Sequence, residues 1–161
     1  MKHTCKLLCA TLMTLPLVAT TTSTAAELDP KAVVFKLPDQ IPWGPVTPTG
    51  NQQAVLFGDP SKPELYGVMT KWLAGNHFSR PHFHPNDRYI TVLSGTWWVG
   101  SGPDFDPDKS SVPMPAGSVV THYAKQVHWD GAKDTDAVLL IVGEGPATST
   151  PFVAAPAATN R

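Results

Sequence analysis

The sequence predicts an all-β fold, a barrel or sandwich of short strands. Three observations carry that prediction. Short apolar runs rich in β-branched and aromatic residues recur along the chain, each bounded by Gly, Pro, Asn or Asp. The 161 residues include 17 Pro and 12 Gly, which disfavours long helices and favours turns. No segment holds a helical apolar period.

Taken in order, the chain opens with Lys2, His3 and Lys6, then an apolar stretch over 7–19, then small residues over 20–26. This three-part pattern reads as a secretory signal. Cleavage after Ala26, or one residue earlier, leaves roughly 135 residues. A membrane anchor is the competing reading, but the stretch is short for a span and no stop-transfer flank follows it. The chain is therefore expected to be exported, periplasmic or extracellular. Cys5 and Cys9 both fall inside the leader, so the remainder has no cysteine and its core must hold it together. Leu8 before Cys9 is too large for a lipobox.

Residues 27–50 read as an N-terminal extension with a strand candidate at 32–35 and a Pro- and Gly-rich loop after it. Strand candidates follow at 54–57, 65–73, 89–93, 96–99, 119–123, 127–129 and 137–142, within a barrel expected over 51–145. The Ala-, Thr- and Pro-rich tail, 146–161, is expected to be extended, disordered or laid over the barrel. No repeat or second domain is visible. A 42% hydrophobic, 16% charged composition with net charge −1 gives no electrostatic reason to expect nucleic acid or an anionic membrane as partner.

Beyond the leader there are five histidines: His77, His82, His84, His122 and His128. His82-Phe83-His84 is the sharpest feature, because residues two apart on a strand share a face and two imidazoles there can grip one ion. Two half-exposed surface histidines would look the same. What surrounds the pair decides. Three residues separate His84 from Arg88, and six separate Arg88 from Gly95. Downstream, Gly117 stands eleven positions before His128, and Pro115-Ala116-Gly117 leads into a strand.

These two spacings resemble the paired motifs of the cupin superfamily, over about 65–142. The resemblance implies a cupin barrel, a double-stranded β-helix or jelly roll, with metal ligands at His82, His84 and His128. It leaves Fe, Mn, Ni, Zn and Cu all open as the divalent transition metal. It also implies a possible homodimer through the barrel edge. The sequence departs from the family pattern at several positions. Arg88 stands where the family has its glutamate ligand. Tyr123, Lys125 and Ala132 replace the Pro, Gly and Asn of the second motif.

Arg88 cannot be a ligand, since it is always protonated and has no lone pair to donate. Three readings follow. Arg88 points into the cavity of a three-His metal site; the cavity then carries a charge of about +3 and wants an anionic occupant. Or Arg88 turns outward to Asp87 or Asp130, and His77, His122 or water completes the ion's ligands. Or Arg88 has cancelled the site. For His77 and His122 the bland reading is a packed or surface histidine, with Trp97 or Trp98 as the neighbour expected for His122. Trp97 and Trp98 are adjacent, so one points in and one out.

No nucleophile elbow, phosphate loop or dinucleotide fingerprint appears. The function expected is that of a metal-dependent enzyme, of oxygenase, isomerase or lyase type, acting on a small anionic organic molecule. A carbon–carbon-cleaving dioxygenase is one case that the resemblance allows. Arg88 would orient the substrate, and His122 or Tyr123 would serve as acid or base. The alternative is a non-catalytic extracytoplasmic cupin that binds or senses a ligand or metal, with a storage-like role behind it.

Overall fold

The computed structural model describes residues 26–154. The leader up to residue 25 and the tail from 155 lie outside the described residues. Residues 26–35 form a unit of their own, where the Asp29 carbonyl accepts from the N–H groups of Ala32 and Val33 at 3.0 and 2.9 Å. No strand forms at 32–35. A β-strand exists only through pairing, and no partner pairs with this stretch among the described residues; Val34 stays 85% exposed.

The second unit begins at Lys36. After a 3-10 turn at Pro38–Gln40 it is built entirely of strands. These are β1 (Asn51–Phe57), β2 (Leu65–Trp72), β3 (His77–Phe78), β4 (His82–Phe83), β5 (Arg88–Ser94), β6 (Thr96–Ser101), β7 (Val112–Pro115), β8 (Val119–His122), β9 (His128–Ala132), β10 (Ala137–Glu144) and β11 (Thr150–Pro151). They make two antiparallel sheets. One runs β1-β2-β10-β5-β8; the other runs β11-β4-β9-β6-β7, with β3 also on β9.

The core follows from period-2 alternation. In β10, Ala137, Leu139 and Ile141 are buried while Val138, Leu140 and Val142 are only partly so. The buried set meets Tyr66, Val68 and Trp72 of β2, Ile90 and Val92 of β5, and Trp97 of β6. Fully burying each large apolar side chain contributes roughly 1.5–3 kcal/mol. Of the adjacent tryptophans, Trp97 is the inward one, 1% exposed, and Trp98 turns out beneath Lys133 Nζ, 4.0 Å from its ring.

The hairpin between β5 and β6 turns on Gly95, the last residue of the first motif. Its φ is +73°, and a Cβ there would run into the Asp136 carbonyl oxygen, so only glycine fits. The second motif departs from such logic. Lys125, where the family has glycine, also has a left-handed φ, +61°. A side chain in that region costs roughly 1–2 kcal/mol.

Candidate metal centre

Strand register assembles the site. His82 of β4 sits directly opposite His128 of β9, and Arg88 of β5 directly opposite His122 of β8. Two hydrogen bonds tie the loops that carry these residues. The Lys125 N–H donates to the His84 carbonyl at 2.7 Å, and the Ala124 N–H to Asp87 Oδ1 at 2.7 Å. Residues distant in sequence are thereby fixed on one side of the barrel interior.

His82, His84 and His128 each present one ring nitrogen, all within 4.8 Å of one another. Their ring centroids are 4.6–5.3 Å apart. Each imidazole is oriented by a backbone carbonyl that accepts from its Nδ1–H: Arg80 for His82 at 2.8 Å, Thr148 for His84 at 2.9 Å, Gln126 for His128 at 3.0 Å. That fixes the tautomer and leaves Nε2 as the acceptor nitrogen of each ring. His128 Nε2 is buried without a partner. Three such nitrogens, with an orphan among them, fit a divalent transition ion.

Burial keeps the His84 and His128 rings neutral. It is the leading cause that lowers His84 to about 3 and His128 to about 4, and the Arg88 charge pushes both the same way. Neutral imidazole is the form that binds metal.

Arg88 points inward, as the first of the three sequence readings has it. Its Nη1 donates to His84 Nε2, while its Nε finds no partner. Asp87, the outward partner considered for it, instead accepts from Ala124.

The other predicted residues divide. His122 is buried, 6% exposed, and its ring lies 3.7 Å from that of His128 and 5.4 Å from that of Trp97. It therefore packs between a tryptophan and a ligand candidate, with neither ring nitrogen hydrogen-bonded. Tyr123 does not reach the site. It is 65% exposed, because the residue next to an inward strand residue faces the other way, so the acid–base role expected of it is withdrawn. His77 is also elsewhere: it pairs with Ala132 on β3, and its ring packs against Gly50 and Gly75.

Sequence reasoning did not place Asp130 inside. It lies two residues after His128 on β9, hence on the same face, and is 7% exposed. One of its carboxylate oxygens lies within 4.8 Å of a ring nitrogen on His128 and on His122. The parity of His128 and Asp130 was the available signal. With this carboxylate present, a bound divalent ion and Arg88 give the cavity a charge of about +2, not +3.

The cavity has a volume of about 370 Å³ and is open on one side. His82, His84, Arg88 and Asp130 form its polar floor, with Trp72, Trp97 and Leu139 as apolar wall. Thr49, Asn51, Gln53 and Ser79 add amides and hydroxyls, and Arg80 adds a second cation. The C-terminal segment closes one side: Thr150 and Pro151 pair with Phe83 and His82, and Ser149 and Pro151 line the cavity. A second cavity of about 400 Å³ borders the other side of His84 and Arg88.

No family model matches the chain, and no curated protein matches its sequence. Solved structures do match. KdgF from a Halomonas species is 20% identical, with a TM-score of 0.53 over 69% of this chain and 94% of that one. An RmlC-like cupin from Shewanella frigidimarina is 18% identical, with a TM-score of 0.55 over 70% and 90%. The polyketide cyclase RemF from Streptomyces resistomycificus is 14% identical, with a TM-score of 0.59 over 77% and 88%. At these identities the likeness speaks to fold, and the two antiparallel sheets agree with it. The chain has the fold of the cupin superfamily, the double-stranded β-helix.

Proposed function

We propose that this chain is a metal-dependent enzyme acting on a small anionic organic molecule, with the ion held by His82, His84 and His128. Three carbonyl-oriented imidazoles with ring nitrogens within 4.8 Å of one another, two of them lining an open cavity, carry this reading. A bound ion supplies Lewis-acid or redox chemistry. The remaining work falls to the chain. Arg88 offers a forked cation to a carboxylate or enolate oxygen beside the ion. Trp97 and Leu139 exclude water and strengthen those electrostatics. His122 packs against His128 and holds its ring in place.

The excess positive charge favours an anion over a neutral ligand, and a cavity of about 370 Å³ suits a small one. Among the similar solved structures, one bears the name of a polyketide cyclase and another that of DMSP lyases, so enzymes are at home on this fold. The leader read from the sequence would place the work outside the cytoplasm.

The test is a turnover screen. The purified chain, loaded in turn with Fe, Mn, Ni, Zn and Cu, is offered hydroxy acids, 1,3-dicarbonyls and other small carboxylates. Ion-dependent turnover that Arg88→Gln removes supports the reading. Saturable binding of a carboxylate with no turnover under any ion favours the non-catalytic binding alternative.

A further inference from the structure

The first motif lacks its acid, yet the cavity does not. We propose that Asp130 is a ligand of the ion carried by His82, His84 and His128, supplying from β9 the carboxylate that position 88 does not offer. This rests on the metal reading above and adds a ligand to it.

Three observations carry it. Asp130 is buried on the cavity floor, and among the described residues its carboxylate makes no ion pair and no side-chain hydrogen bond. The carboxylate lines the cavity instead of meeting a protein donor, and a cation there would pair its charge. Second, one of its oxygens lies within 4.8 Å of a ring nitrogen on His122 and on His128, and His128 is also one of the three clustered histidines. Asp130 does not join the group that His82 and His84 form with His128, so ligating the shared ion requires its side chain to turn toward them. Third, its backbone is anchored. Its N–H donates to Ser79 Oγ at 3.0 Å, and its carbonyl accepts from the Ser79 N–H at 2.8 Å. Little motion of the main chain is available, so a turn of the side chain delivers the oxygen.

The consequence for chemistry is a site with three imidazoles and one carboxylate, in which the acid arrives from the strand of the third histidine. Arg88 is then free for substrate. The ligand set is harder and more negative than three imidazoles alone, which favours Fe(II) and Mn(II) relative to Cu(I).

The experiment is a Co(II) titration of the untagged full chain and of Asp130→Asn, followed by the visible ligand-field bands, with circular dichroism and melting as the check of fold. The expected result is one equivalent in the parent, at least a tenfold weaker affinity in Asp130→Asn, and altered bands in the loaded variant. Equal affinity with identical bands would overturn the assignment. So would weaker affinity with unchanged bands, since the carboxylate would then act only as a charge. In both cases the metal reading stands. A parent that takes no Co(II) removes the metal reading and this ligand together. If Asp130→Asn does not fold, Asp130→Glu asks the same question. A longer carboxylate keeps an oxygen ligand but shifts the bands, and bands identical to the parent's would count against the assignment.

Discussion

Arg88 donates a hydrogen bond to Nε2 of His84, the one lone pair of that imidazole left free once Thr148 has taken its Nδ1–H. An ion and the guanidinium therefore compete for the same nitrogen. Arg88→Gln removes both the strongest competitor and a positive charge from a low-dielectric site. A charged hydrogen bond is worth about 1.5–3 kcal/mol, so ion affinity is expected to rise about 10- to 100-fold while affinity for a carboxylate ligand falls. Calorimetric titration with Zn(II), then with a carboxylate, checks both signs. An ion affinity that drops would mean that Arg88 supports the site.

Burial lowers His84, His122 and His128 to about 3, 2 and 4, below the value of 6.5 that they regain on unfolding. Between about pH 4 and 6.5 the unfolded chain then binds up to three more protons at these positions. Burial raises Asp130, which works the other way and returns up to one proton. The histidine contribution to the stability of the metal-free protein is thus fully present above about pH 6.5 and is lost as pH falls, at up to about 4 kcal/mol per pH unit for three protons, an amount that Asp130 reduces. Urea unfolding at pH 7, 6 and 5 measures this slope. His122→Gln should flatten it by about one proton, and a flat profile in the parent would contradict the burial account.

The C-terminal segment orients a ligand candidate. The Thr148 carbonyl receives the Nδ1–H of His84, and β11 lies along β4 opposite His82. Removing everything after Gly145 should weaken Zn(II) binding about 10- to 100-fold, the cost of losing an orienting partner, with circular dichroism still showing a β-sheet fold. Unchanged affinity would mean that His84 is held well enough by its own loop.

Lys125 bears a left-handed φ of +61° with an exposed side chain. Lys125→Gly relieves that strain at the cost of some chain entropy, for a net gain of about 1 kcal/mol. A melting temperature about 3–5 °C higher is expected. A lower one would show that the lysine makes a compensating contact.

The sequence made the long strands and the histidine cluster legible for one reason: period-2 alternation and fixed spacing are local signals. β2, β5, β6 and β10 fall within a few residues of where apolar runs placed them. The two-residue pairings β3, β4 and β11 carry no such signal, because they form only where another strand happens to pass. β7 contains Pro113 and Pro115 and reads as loop, yet it survives as an edge strand on β6. At 32–35 the opposite error occurred, since β-branched residues alone do not make a strand without a partner. Within the site, strand parity could have gone further. It separates His122 from Tyr123, and it joins Asp130 to His128. What it could not give is the direction of Arg88, which depends on its contact with His84 inside the barrel.

The central claim is that three histidines from two distant segments hold one ion. The most direct measurement is the metal content of the untagged purified chain, beside a His82→Ala/His84→Ala double variant of the same fold by circular dichroism. The account predicts near one equivalent of a transition metal in the parent and little in the variant. A parent that stays metal-free after reconstitution with several ions, or a variant that keeps a full equivalent, would contradict it.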